Sequence, residues 1–214
     1  MRGLVSVLTG IVLSVLAGVT AGAADLADAP PVHVGDVWKY RQVDDFTGEI
    51  KFEFVHRVVD ISSSEILVKE TIKSHNIDRL KVFDRFWNIV DDGTLKFEPP
   101  GGIQTFPIPI GRTLRKEYTG TVLKTGASAV CTKLGKYVVK ETATVPAGTF
   151  DTVRLEAEEE CRMTNASATI IRSLQTAWYA PGVNRWVRTT SQNVKDGRVR
   201  ERISTELVEY SLAH

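Results

Sequence analysis

The stretch "WYAPGVNRWVR", from Trp178 to Arg188, predicts two β-strands joined by a tight turn. Pro181-Gly182 suits the central pair of a type II turn. Aromatic and β-branched residues, which favour strands, stand on both arms. A second segment, "TVPAGTFDTVRLE" over residues 144–156, repeats this order of strand, turn and strand. Hairpins of this kind therefore decide how the chain folds.

The rest of the chain shows the same pattern. Between residues 34 and 212, short runs rich in Val, Thr, Ile, Tyr and Phe are interrupted by turn residues. Such spacing is typical of antiparallel β-proteins. We therefore predict an all-β fold, a curved antiparallel sheet or incomplete β-barrel, in a single domain over residues 34–212. One segment, "SHNIDRLKVFDRFW" at residues 74–87, is compatible with a helix or a strand.

The domain shows a faint internal repeat. "VGDVWKY" at residues 34–40 resembles "IGRTLRKEY" at residues 110–118. In each copy a large apolar residue, Trp38 or Leu114, follows a glycine by three positions. The repeat predicts two similar halves, 34–108 and 109–212, that complete one core together.

The N-terminal 23 residues have the pattern of a secretory signal peptide. Arg2 provides the positive charge, an apolar run follows, and Ala21-Gly22-Ala23 offers a cleavage site after residue 23. Residues 24–33 then read as a flexible segment. No cysteine lies near the cleavage site, and no later stretch is long and apolar enough to span a bilayer. We expect a soluble, exported protein of the bacterial periplasm with no membrane anchor.

The charge of the chain argues against two classes of partner. The formal net charge is +1, and removal of the signal peptide with Arg2 brings it to about zero. Nucleic acids and anionic membranes bind surfaces with a basic surplus. We therefore expect no nucleic-acid partner.

Two cysteines, Cys131 and Cys161, predict a disulfide bond. An even number of cysteines in an exported chain favours pairing. Both lie on arms of the hairpin around "PAGT" and share odd parity with the apolar residues Tyr137, Val139, Val153 and Leu155. Period-two alternation places them on one face unless a bulge intervenes. A redox or metal pair is the alternative, but the CxxC spacing is missing.

Catalytic and metal-binding motifs are missing from the sequence. The four histidines do not form HExxH, and the serines lack a GxSxG elbow. We expect His56 to be a surface or edge residue, and Arg185 and Arg188 to be solvated strand residues. The acidic run at 156–160 has the parity of a solvent-facing strand. We assign no catalytic residue, metal ligand or cofactor, and expect no enzyme.

The connector "IQTFPIPIG", residues 103–111, is the strongest candidate for a ligand site. Alternating prolines favour an extended chain without ladder pairing. It reads either as a linker packed on the core or as the rim of an apolar cavity. The candidate ligand-binding residues are Phe106 and Ile108 on this connector, with Trp178 and Trp186 on the hairpin.

Three patches of sequence resemble the exported, β-rich DUF3108/TapB-like family. They are the G-x-x-W-x-Y pattern at Gly35, Trp38 and Tyr40, "PAGTF" at 146–150 and "WYAPGVN" at 178–184. The chain departs from the family at Asn184, where Gly is usual, and at Leu114, where Trp is frequent. The resemblance implies a curved sheet or incomplete barrel similar to lipoprotein carriers of the LolA/LolB kind, and implies no catalytic residues.

These observations predict a non-enzymatic periplasmic protein of the cell envelope that binds an apolar or lipidic ligand. The alternative is a structural or interaction module that pairs exposed strand edges with an envelope protein. A hydrolase acting on glycan or peptidoglycan is the third hypothesis.

Overall fold

The computed structural model of the protein describes residues 31–164, 169–195 and 198–213. These residues form twelve antiparallel β-strands and two short 3-10 turns. The strands are β1 Val37–Asp44, β2 Ile50–Ile61, β3 Glu65–Ile72, β4 Ile77–Asp84, β5 Ile89–Asp91, β6 Leu95–Gly101, β7 Thr113–Val122, β8 Ser128–Val145, β9 Gly148–Met163, β10 Ile170–Ala180, β11 Arg185–Lys195 and β12 Arg198–Ser211. The 3-10 turns are η1 Lys73–His75 and η2 Pro181–Val183.

The strands form a closed barrel in which each strand pairs with its neighbours along the chain. The last strand returns to the first, from the pair Val37–Ser211 to the pair Asp44–Ile203. The all-β antiparallel prediction is confirmed, and the sheet closes completely. Segment 74–87 is η1 followed by β4 rather than a helix. The proposal of two similar halves stays a prediction.

The two ends of the barrel have different connections. At the proximal end, β1 begins and β12 finishes; at the distal end, the strands β1, β3, β5, β7, β9 and β11 finish. Both buried hydrophobic clusters belong to the proximal half. The first contains Trp38, Val58, Ile66 and Leu207, and the second surrounds Tyr137. Many of the largest buried side chains therefore lie toward the proximal end.

The long β8–β9 hairpin carries the disulfide. Cys131 and Cys161 are directly opposite each other and bonded, which confirms the prediction. A bulge between Tyr137 and Val139 lies nearer the turn than the cysteines do, so it leaves their common face intact. The bulge instead shifts Val139 out of the alternation. Val139 is exposed, whereas Tyr137, Val153 and Leu155 are buried.

The "APGVN" turn differs from the type II turn that its sequence predicts. Pro181–Val183 forms η2, and Asn184 follows in the left-handed conformation with φ of 55°. Asparagine adopts this conformation more readily than other non-glycine residues. The Asn184 side chain also donates a hydrogen bond to the Pro31 carbonyl over 2.8 Å, and Val32 beside it is buried.

Two expectations concern the N-terminal region. The signal peptide over residues 1–23 and the segment 24–30 lie outside the described residues. No helix among the described residues is long and apolar enough to cross a membrane.

Replacing both cysteines with serine should lower the free energy of unfolding by about 3–4 kcal/mol. The bond closes a loop with a sequence separation of 30 residues, and its loss frees that loop in the unfolded chain. Urea denaturation of C131S/C161S and of the oxidised wild type measures the difference. Equal midpoints for the two proteins would show that the bond contributes no stability.

Candidate functional site

The connector between β6 and β7 enters the barrel. We call residues 102–112 the plug. Ile103 and Ile108 of the plug are buried in the second hydrophobic cluster. Ile103 packs against Gly135 on β8, where a Cβ atom would overlap the Ile103 Cδ1 atom and lie 3.1 Å from Ala157 Cβ. The plug therefore fills space that the strands leave open.

Asn88 holds the plug in place. Its Nδ2 atom donates to the backbone carbonyl of Gln104 over 2.9 Å, and its Oδ1 atom accepts from the backbone N–H of Gln104 over 2.8 Å. Asp84 accepts a second hydrogen bond from Asn88 Nδ2 over 2.9 Å. Gly102 has φ of +117°, and a Cβ atom there would lie 2.7 Å from Asn88 Oδ1. Glycine thus permits both the backbone turn and the close approach of Asn88.

A cavity of about 290 Å³ lies beside the plug, inside the barrel. Strands β5 to β11 and residues 101–104 contribute to its wall. Apolar wall residues include Trp87, Phe97, Leu155, Ala177 and Trp186. Polar wall residues include Gln104, Tyr118, Lys133, Glu159, Gln175 and Thr189. The cavity is therefore amphipathic.

The carboxylate of Glu159 already has partners within the cavity wall. It accepts a hydrogen bond from the Tyr118 hydroxyl, and its Oε2 atom lies 3.5 Å from Ser173 Oγ. Lys133 Nζ lies 3.6 Å from Glu159 Oε1. Burial and the negative charge of Glu159 raise the pKa of Tyr118, so the phenol keeps its proton. Lys133 and Glu159 give this part of the wall no net charge.

Three buried polar atoms of the wall have no hydrogen-bond partner within the described residues. They are Gln104 Oε1, Gln104 Nε2 and Trp87 Nε1. Leaving one such group unpaired costs about 1–3 kcal/mol.

A second polar cluster lies next to Trp87. Arg185 lies over the Trp87 ring at 4.0 Å and within 5.2 Å of the Trp38 and Phe83 ring centres. Its Nη2 atom is 3.1 Å from His56 Nδ1. An arginine can only donate, so Nδ1 accepts and the proton of neutral His56 sits on Nε2. We call Arg185, His56 and Glu70 the lumen relay.

Glu70 is the anionic end of the lumen relay. Its Oε2 atom accepts from His56 Nε2 over 2.7 Å, while Arg79 and Lys81 contact the carboxylate at 2.5 and 2.7 Å. Burial would raise the pKa of Glu70, but the His56 hydrogen bond and the charge of Lys81 outweigh it and hold the pKa below its usual range. Glu70 is therefore ionised.

Burial lowers the pKa of His56 to about 3. The hydrogen bond to Glu70 opposes this shift, while the positive charges of Arg185 and Lys81 reinforce it. His56 is therefore neutral throughout the physiological pH range. The expectation of a surface histidine is wrong, because His56 is only 5% exposed. The expectation of a solvated Arg185 is also wrong, since three aromatic rings enclose it.

The four predicted ligand-binding residues occupy different places. Trp186 lines the cavity. Trp178 instead donates from Nε1 to Glu141 over 2.7 Å and lies beneath Arg188. Ile108 is buried in the core. Phe106 packs on Tyr179, with ring centres 5.4 Å apart, and borders a separate depression with Pro107 and Pro109.

Sequence reasoning missed Gln104, Trp87 and Lys133 as cavity residues. Gln104 lies within the proposed connector, and its position as a polar residue next to Ile103 and Thr105 gave no specific signal. Trp87 and Lys133 offered no signal either, because strand pairing over long distances brings them to the plug. Among the described residues, no group of three or more His, Cys, Asp or Glu side chains is placed to hold a metal ion.

Acidification should destabilise the protein through His56. Between pH 6.5 and 4.5 the unfolded chain protonates this histidine but the folded chain, with its pKa of about 3, does not. Stability contributed by neutral His56 is thus complete above pH 6.5 and is lost as pH falls, by about 2 kcal/mol over this range. Denaturation at several pH values measures it.

The variant His56→Gln should show a flatter pH dependence over the same range, because an amide does not titrate. His33→Gln, at an exposed position, is the matched control and should keep the wild-type slope. An unchanged slope in His56→Gln would contradict the assignment of the buried neutral histidine.

Comparison with known proteins places the fold. No protein-family model and no curated protein sequence matches the chain. A candidate lipoprotein from Parabacteroides distasonis is 17% identical, with 87% of this chain and 100% of that chain covered and a TM-score of 0.59. A candidate exported protein with a YmcC-like fold, from Bacteroides fragilis, is 14% identical, with 86% and 99% covered and a TM-score of 0.55. The chain therefore shares its barrel fold with exported, YmcC-like proteins.

Proposed function

We propose that this chain is a non-enzymatic protein of the bacterial periplasm that binds a small amphipathic ligand inside its barrel. The observation that carries the proposal is the lumen cavity of about 290 Å³, whose wall combines aromatic rings with the polar side chains of Lys133, Glu159 and Gln175. Exported proteins of the same fold support an envelope location. Membership of the DUF3108/TapB-like family belongs to this proposal and rests on the three sequence patches.

The chemistry of the wall favours a ligand with a polar end. A volume of about 290 Å³ is at the low end of ligand pockets, which span about 300–1,000 Å³. A hydrocarbon tail would displace water from polar wall residues such as Lys133, Glu159 and Gln175 and would incur their desolvation cost. If the ligand is a lipid, its polar group occupies this cavity.

The alternative functions have weaker support. An interaction module that pairs strand edges needs free edges, and β12–β1 pairing closes the barrel. A glycoside hydrolase needs two carboxyl groups facing the substrate. Glu159 is the one carboxylate among the described residues that line the cavity.

Native mass spectrometry of the protein purified from the periplasm tests the proposal. We expect a non-covalent adduct on the wild type and its loss in Gln175→Phe, which places a ring in the cavity from β10. Thr176→Phe is the matched control, because the neighbouring strand residue does not line this cavity, and it should keep the adduct.

A wild-type protein without adduct would contradict the proposal if the small-molecule fraction of a periplasmic extract also leaves its melting temperature unchanged. An adduct of equal intensity on Gln175→Phe would place the ligand elsewhere on the molecule.

A further inference from the structure

We propose that the ligand is an organic monoanion, a carboxylate with an apolar body, and that Lys133 holds its charged group. This inference rests on the proposed binding function and specifies its ligand. It follows from the accessible ammonium group in the cavity wall, from the way in which Glu159 is already bound, and from the excess of positive charge next to the cavity.

Lys133 brings an accessible cation to the cavity wall. It lines the cavity from β8, and its side chain is 13% exposed. The carboxylate of Glu159 lies 3.6 Å from Lys133 Nζ, which is longer than a hydrogen bond. The three N–H donors of Lys133 can therefore turn toward an acceptor group of a ligand in the cavity.

Glu159 is less able to receive a ligand than Lys133 is. Its carboxylate accepts a hydrogen bond from the Tyr118 hydroxyl and lies 3.5 Å from the Ser173 hydroxyl. A cationic ligand would have to share these carboxylate oxygens and would meet the ammonium group of Lys133. An anionic ligand competes with Glu159 for Lys133 alone, and Tyr118 continues to hold Glu159 when Lys133 turns.

The charged groups around the lumen relay have a positive sum. Arg185 is one cation of this cluster, and Arg79 and Lys81 are two more, both in contact with Glu70. Asp92 is a second carboxylate that acts on Lys81. Three cations and two carboxylates leave a net charge of +1.

This positive cluster reaches the cavity. Trp87 lines the cavity, and Arg185 lies over the same ring at 4.0 Å, so at most one side chain separates Arg185 from a ligand. Salt screens charges in such buried surroundings much less than it screens surface charges. The ion pair within the wall adds no net charge, and the charge of Asp84 behind the plug acts on Lys116. The potential in the cavity therefore favours an anion over a neutral or cationic molecule.

The number of donors in the wall favours a carboxylate over a phosphate group. Lys133 is the one cation among the described wall residues, and Gln175 and Thr189 add neutral donors. A phosphate group carries a charge of about −1.5 to −2 at pH 7, which exceeds the positive charge available. The rings of Phe97 and Trp186 border the same cavity and provide contacts for the apolar body of the ligand.

Four probes that share a phenyl ring test the ligand class by isothermal titration. The protein is first dialysed at about 1 M NaCl to release bound anions and is then returned to low salt. Phenylacetate is the carboxylate, phenylacetamide its neutral isostere, phenethylammonium the cation and benzylphosphonate the more highly charged anion. We expect phenylacetate to bind the wild type about tenfold or more above phenylacetamide and phenethylammonium, because its hydrogen bonds are charge-assisted. Tighter binding of benzylphosphonate would overturn the assignment of a carboxylate.

The variant Lys133→Met keeps the length of the side chain and removes its charge. It should reduce the preference for phenylacetate over phenylacetamide to less than about twofold, because the charge-assisted hydrogen bond is lost. Lys136→Met is the matched control, since Lys136 lies on the same strand but is exposed and does not line this cavity. It should keep the wild-type preference. An unchanged preference in Lys133→Met would contradict the role of Lys133.

The variant Glu159→Gln separates ligand binding from a structural role of the ion pair. It should strengthen the binding of phenylacetate by about threefold or more, because Lys133 loses a competing carboxylate and the cavity gains positive charge. An ion pair that serves only the fold predicts weaker binding together with a lower melting temperature. That result would count against the inference.

The native ligand gives an independent test. Methylation of the adduct extracted from the wild type should add one methyl group for each carboxyl group and should abolish rebinding to the protein. An adduct without a carboxyl group, or equal binding of phenylacetate and phenylacetamide to the wild type, would overturn this inference while the proposed binding function stands. A wild type that carries no adduct and binds none of the four probes would instead count against the proposed function.

Discussion

The structure depends on how a wide lumen is filled. A barrel of about eight strands has an interior that its own side chains can fill, and the diameter grows with the number of strands. This barrel has twelve strands. Ordinary inward side chains therefore do not fill its interior by themselves. Large aromatic residues, a buried ionic cluster and the plug occupy the remaining space. The cavity is the space that remains beside the plug.

The lumen relay is part of the same solution. Long side chains reach further into a wide interior than aliphatic ones, but their charges must be compensated there. Arg185 is enclosed by Trp38, Phe83 and Trp87. Neutral His56 accepts a hydrogen bond from Arg185 and donates one to Glu70. Arginine suits such a place because its guanidinium stacks on rings and is weakly hydrated compared with an ammonium.

Sequence patterns predicted the local structure well, and the site poorly. Alternation identified the strands and placed Cys131 and Cys161 on one face of a hairpin, because pairing within one hairpin depends on nearby residues. The bulge that exposes Val139 left no trace in composition. His56 and Arg185 look like ordinary polar strand residues, and their burial results from contacts 129 positions apart. Closure of the barrel likewise pairs β1 with β12, which lie at opposite ends of the domain. Local sequence patterns carry no information about that pairing.

The sizes of the side chains at positions 103 and 135 together affect the free volume of the lumen, because Ile103 packs on Gly135. Gly135 has no side chain, so the plug can approach β8 closely, and bulk at one position has to be matched by its loss at the other. Barrels of this architecture can therefore combine a larger side chain in the plug with a smaller one in the wall, or the reverse. Their hairpins and closure stay the same. Divergent members would then keep one fold while the free space beside the plug differs in size, and paired changes at these two positions would record that divergence.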